Sequence, residues 1–123
     1  MKSKRNKIKL LVLFSCFVFL TACEHSYIEP IPISDNIYFQ ADIIPIFENS
    51  CNLSGCHNGT IFPDLTPGNA YDQLFSKDYL IDTITPENSV LYTKLIAGAH
   101  ENRCSDTDKG KILKWIELGA KNN

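Results

Sequence analysis

The chain has 123 residues, enough for one domain, and its 44% hydrophobic and 21% charged content excludes a disordered composition. Lys and Arg number 12 against 14 Asp and Glu, a formal net charge of −2, and five of the positive charges fall within the first nine residues. Everything after them is acidic, which argues against a nucleic-acid-binding surface and against charge-driven docking on anionic lipid heads.

Met1-Lys2-Ser3-Lys4-Arg5-Asn6-Lys7-Ile8-Lys9 is a basic n-region, and residues 10–20 are apolar apart from Ser15 and Cys16. That run is too short for a permanent membrane span and reads as the h-region of an export signal. It ends in Leu20-Thr21-Ala22-Cys23, which resembles the lipobox of bacterial lipoproteins. The resemblance implies that residues 1–22 are a signal peptide, that the chain is cut before Cys23, and that the Cys23 thiol is acylated. The alternative is an ordinary secretory signal with a coincidental cysteine. A chain starting at Cys23 keeps seven Lys and Arg against all fourteen Asp and Glu, a formal charge of −7. Membrane attachment would then come from acyl chains and not from charge. The expected location is an exported lipoprotein, on the cell membrane facing the periplasm or in the outer membrane. Glu24, in place of Asp, follows the lipid cysteine, which leans towards the outer membrane. In such a compartment thiols tend to be oxidised or covalently used.

Residues 23–37 contain Pro30 and Pro32, three acidic side chains and few large apolar groups, the composition of an extended tether. His25 lies in it and is expected to be solvated. The folded domain is expected over residues 38–123. Phe39, Ile43, Ile46 and Phe47 fall at helical spacing, so a first helix is expected to end near Asn49. Pro45 is tolerated there if Asp42 is the N-cap and Pro45 sits in the first turn; otherwise it kinks a longer helix.

The helix delivers the chain to Cys51-Asn52-Leu53-Ser54-Gly55-Cys56-His57, around which the domain is organised. Two thiols close in sequence, the second followed at once by an imidazole, is the arrangement that covalent haem attachment needs. Each thiol adds across one porphyrin vinyl group, and the adjacent His faces the iron as an axial ligand. The usual c-type spacing has two residues between the cysteines, and here there are four. Other readings of the same residues are a Cys51–Cys56 disulfide, or a zinc site completed by Cys104 and another His. Cys104 is otherwise an odd thiol in an exported chain, expected to be a small buried residue, an intermolecular disulfide partner or a metal ligand.

Beyond the motif, residues 60–69 are rich in turn formers. Thr66-Pro67 is an N-cap and N1 pair opening a short helix through Ala70, Leu74 and Phe75. Residues 80–85 alternate apolar and polar groups and are expected to form a bridge-length strand. Thr85 then caps a helix begun by Pro86, with Val90, Leu91, Leu95 and Ile96 on its apolar face and Gly98 at its end. The last helix is capped by Ser105 or Asp106, buries Ile112, Trp115 and Ile116, closes at Gly119 or Ala120 and leaves a polar tail.

Taken together, these elements resemble a single-haem cytochrome c domain of the kind found in bacterial lipoproteins and large planctomycete-type proteins. The residues that carry the resemblance are Asp42-Ile43-Ile44-Pro45-Ile46-Phe47, the motif with Asn58, and Pro63-Asp64-Leu65. Pro86-Glu87-Asn88-Ser89-Val90-Leu91-Tyr92 and Ile112-Leu113-Lys114-Trp115-Ile116-Glu117-Leu118-Gly119-Ala120 complete them. The resemblance implies an all-α fold of three to four helices around one haem c, bound through Cys51 and Cys56 with His57 on the iron. A small domain has a thin protein-only core. Several hundred Å² of buried porphyrin, at roughly 25 cal/mol per Å², adds on the order of 10 kcal/mol. The apoprotein is therefore expected to be poorly folded.

One departure from the family bears on function. The family places a Met-Pro before the last helix as the sixth iron ligand, and the single Met of this chain is Met1. His100, six residues before Asp106, lies near that position and is the candidate sixth ligand. The expected function is electron transport by a membrane-anchored cytochrome that is not an enzyme, working with redox protein partners that the residues do not identify. The alternatives are a haem-based small-ligand sensor or enzyme with an open sixth site, and a non-haem exported binding module with a disulfide or zinc site.

Overall fold

The computed structural model describes residues 32–123. Cys23, His25 and the basic and apolar leader lie outside the described residues. The described part is built of short helices and turns, with no strand. A π-helical turn, Phe39–Ile43, runs into α1, Ile44–Ser50. Helix α2 spans Ala70–Leu74, α3 Val90–Ile96 and α4 Asp106–Glu117, with short 3-10 turns at Pro86–Asn88 and Gly98–His100. Among the described residues no helix is long and apolar enough to cross a membrane.

The first helical run begins at Phe39, earlier than an Asp42 cap would allow. Asp42 instead reaches back: its carboxylate accepts from the Tyr38 N–H at 2.8 Å. Pro45 is the second residue of α1. Proline has no N–H to give a carbonyl four residues back, and the π turn absorbs the defect by letting the Ile44 N–H bond to the Phe39 carbonyl. The other open donors are met from the far end of the chain. The Phe39 N–H donates to the Asn123 side-chain oxygen and the Gln40 N–H to the Asn123 carbonyl, each at 2.9 Å. The polar tail is therefore not loose; it caps the first helix.

The core lies between this run and α4. Phe39, Phe47, Ile43, Ile112, Trp115 and Ile116 are all essentially inaccessible to solvent. The Phe39 ring packs 5.0 Å from Trp115 and edge-on to Phe47 and Tyr71. The Trp115 indole N–H donates to the Lys121 carbonyl at 2.9 Å, which meets its one polar need. Helix α4 starts as its sequence requires: the Ser105 hydroxyl accepts from the Asp108 N–H and donates to the Asp108 carboxylate. It closes with Gly119 at φ +90°. Residues before 38 also contribute. Ile37 is buried, and Ile33 lies over Gly110, where an added Cβ would clash with its Cδ1.

Three expectations for the middle of the chain are corrected. Residues 80–85 form no strand. Leu80 and Ile81 are buried in succession and do not alternate. The Asp82 carboxylate then accepts from the N–H groups of Ile84 and Thr85, which bends the chain. Thr85 caps nothing, because its hydroxyl donates to Asp82, and Ser89 breaks the anticipated single helix into a 3-10 turn and α3. Thr66 also gives its hydroxyl to an acid, Asp64, so α2 opens only at Ala70.

Candidate functional site

Helix α1 ends on Cys51, whose N–H closes the last turn on the Phe47 carbonyl at 2.8 Å. Cys51 is thus fixed by a helix and packs against the core. The chain then folds back on itself: Cys56 N–H bonds to Leu53 O at 2.8 Å, and His57 N–H returns to Cys51 O at 3.1 Å. Gly55, at φ +77°, takes the left-handed conformation that this reversal needs. The Leu65 N–H donates to the His57 carbonyl at 2.7 Å and the Asn52 amide to the Leu65 carbonyl at 3.3 Å. The loop that follows is therefore laced to the cysteine loop.

That lacing orients the imidazole. The His57 Nδ1 lies 3.0 Å from the Pro63 carbonyl and 3.3 Å from the Ile61 carbonyl. Carbonyl oxygens only accept, so Nδ1 carries the hydrogen, and in the neutral ring Nε2 keeps its lone pair. A backbone carbonyl on one ring nitrogen, with the other free to bind, is the arrangement usual for a metal-ligating histidine.

Cys51, Cys56 and His57 share the wall of a cavity of about 510 Å³, within the roughly 300–1,000 Å³ typical of cofactor sites. Its lining is mainly apolar, with Leu65, Leu74, Leu80, Leu91 and Leu95 at the back and Phe62 and Tyr79 towards solvent. Phe62 and Tyr79 are about half exposed, so a flat apolar ligand would cover surface that the protein leaves in water. Lys94 and Arg103 also line the cavity, and among the described residues no acidic side chain does. An anionic edge on the ligand suits that charge pattern. His100 lies in the same lining, its ring centroid 6.1 Å from that of His57. Trp115 is not part of the lining; its role is core packing on Phe39.

Cys51, Cys56 and Cys104 are free thiols. Burial, with smaller contributions from Cys104 and then Cys56, pushes the Cys51 thiol up to about 12. Burial also raises Cys104, and the charge of Asp108 adds to it. Among the described residues no three His, Cys, Asp or Glu side chains gather to hold a metal ion. The zinc reading of Cys51, Cys56 and Cys104 thus finds no ligand cluster.

Sequence reasoning missed Ser89. It is fully buried, its hydroxyl accepts from the Asp82 N–H at 2.8 Å, and it ties the 80–82 wall of the cavity to the start of α3. Its only signal was position, just before an apolar helical run. Lys94 and Arg103 were also missed, because nothing local turns them towards the cavity.

Fold and site define a small all-α protein with an apolar cavity walled by two thiols and two imidazoles. Comparison with protein-family models, characterised proteins and solved structures finds no match to this chain.

Proposed function

We propose that this chain is an exported, lipid-anchored c-type cytochrome that carries electrons through one covalently attached haem. The observation that carries the reading is His57: its Nδ1 is occupied by backbone carbonyls, and its ring stands in the wall of an apolar cavity shared with Cys51 and Cys56. The residues present fit the group. Cys51 and Cys56 would hold it by thioether bonds, neutral linkages that the buried wall around Cys51 favours. His57 would supply a ligand to its iron, and Lys94 and Arg103 offer positive charge for its carboxylates. When bound, the haem supplies a one-electron ferric–ferrous couple.

The chain's own part is positional. The hydrogen bond to Pro63 holds the His57 ring and raises its basicity as a ligand. The leucines of the lining keep water from the ring and lower the local dielectric, which sets the potential. Attachment to the membrane falls to Cys23, as an acylated N-terminal residue on a tether.

The test is expression in a bacterium with a c-type maturation system, followed by haem staining of a denaturing gel and intact mass. One covalent haem on the chain supports the proposal. A bare polypeptide, or a Cys51–Cys56 disulfide, overturns it.

A further inference from the structure

We infer that His57 and His100 clasp one iron between them, so that the resting site is closed to added ligands. The inference rests on the haem reading above and commits it to a six-coordinate electron carrier, not to a small-ligand sensor.

Four observations converge on His100. It ends the 3-10 turn Gly98–His100, within residues 96–103, and it is the one residue of that stretch that is not solvent-exposed. His100 lines the cavity with its neighbours Ala99 and Arg103, and of the three only His100 is partly buried. Among the described residues no hydrogen bond engages the His100 ring, and since no buried side-chain nitrogen there lacks a partner, its nitrogens stay open to the cavity space. Ring nitrogens left open on a cavity wall are available to bind a metal.

The fourth observation is distance. The His57 and His100 ring centroids stand 6.1 Å apart. Two imidazoles on opposite sides of one metal, with bonds of about 2.0–2.1 Å as for histidine on zinc, have centroids roughly 6 Å apart. The Nε2 of His57 is the nitrogen left free, because Nδ1 is taken by the Pro63 and Ile61 carbonyls. The described residues contain no methionine. Lys94 is the competing donor on the same wall, but an ammonium must first lose its proton in order to bind.

The test uses the holoprotein and its spectrum. The wild type should be low-spin in both oxidation states, without the weak near-infrared band of methionine–iron ligation, and its ferrous form should not take up CO. His100→Ala should turn high-spin and bind CO stoichiometrically, and added imidazole should restore the low-spin spectrum. His100→Met should stay low-spin and gain the near-infrared band, which guards against mistaking a damaged fold for a lost ligand. Two results would overturn the inference while leaving the haem reading intact. One is a haem-bearing wild type that is already high-spin and binds CO. The other is a low-spin spectrum unchanged by His100→Ala but lost in Lys94→Ala. A chain without covalent haem defeats both readings, and the stained gel separates that case from the first two.

Discussion

The Pro63 carbonyl lies 3.0 Å from Nδ1 of His57, six residues earlier in the chain. This contact fixes which ring nitrogen carries hydrogen and leaves the other with its lone pair. It is made by backbone, so no side-chain substitution at position 63 removes the acceptor. The ring itself is the vulnerable part. His57→Ala is expected to retain both thioethers, and therefore the haem mass, while losing the normal low-spin spectrum. Absorption spectroscopy on mass-verified protein checks this, and added imidazole should recover much of the signal.

Cys23→Ala is expected to move the protein from the membrane fraction to the soluble fraction. In the lipoprotein reading the acyl chains are the only anchor, because acidic surface charge does not draw the protein to anionic lipid. Sedimentation after a high-salt wash decides the matter. A variant that still pellets would end that reading.

Ser89→Ala should destabilise the domain although it removes a single oxygen. The hydroxyl is buried and accepts from the Asp82 N–H, and stranding a buried donor costs about 1–3 kcal/mol. Thermal unfolding of the holoprotein measures it. Because Ser89 joins two walls of the cavity, the haem spectrum should also shift, whereas a variant at the surface-exposed Ile84 should leave the spectrum alone.

Ser105→Ala tests the helix that, among the described residues, alone has a side-chain N-cap bond. Loss of an N-cap costs about 1 kcal/mol, and in a domain of this size 1 kcal/mol lowers Tm by roughly 4–8 °C. The site lies away from the cavity lining, so the spectrum should not change.

Acid should weaken the 82–85 turn. Hydrogen bonds from the Thr85 side chain and backbone, and from Ile84, hold the Asp82 carboxyl below its ordinary value of 3.8. A carboxylate whose folded pKa is depressed contributes stability above its unfolded pKa and loses it as pH falls through the folded value. Asp82→Ala is therefore expected to be less stable than wild type at neutral pH, with the gap closing below pH 3.8. Denaturant midpoints across that range would show it. A gap that stayed constant with pH would assign the turn's stability to backbone geometry alone.

What could be read in the sequence was local. Helix α4 announces itself through Ser105, Asp108 and the spacing of Ile112, Trp115 and Ile116, because cap and buried face all lie within the same few turns. The grouping of Cys51, Cys56 and His57 was legible for the same reason: three residues in one short loop must meet the same wall. The tertiary structure alone decided what depends on distant segments. It brought Asn123 onto the start of the first helix, set Trp115 against Phe39 and away from the cavity, and buried Leu80 and Ile81 in succession. It also placed His100 within 6.1 Å of His57, a separation of 43 residues in sequence. No periodicity or motif encodes that distance. It arises because α3 and the turn after it share one cavity with the loop that α1 holds, and such placement is a property of the closed fold.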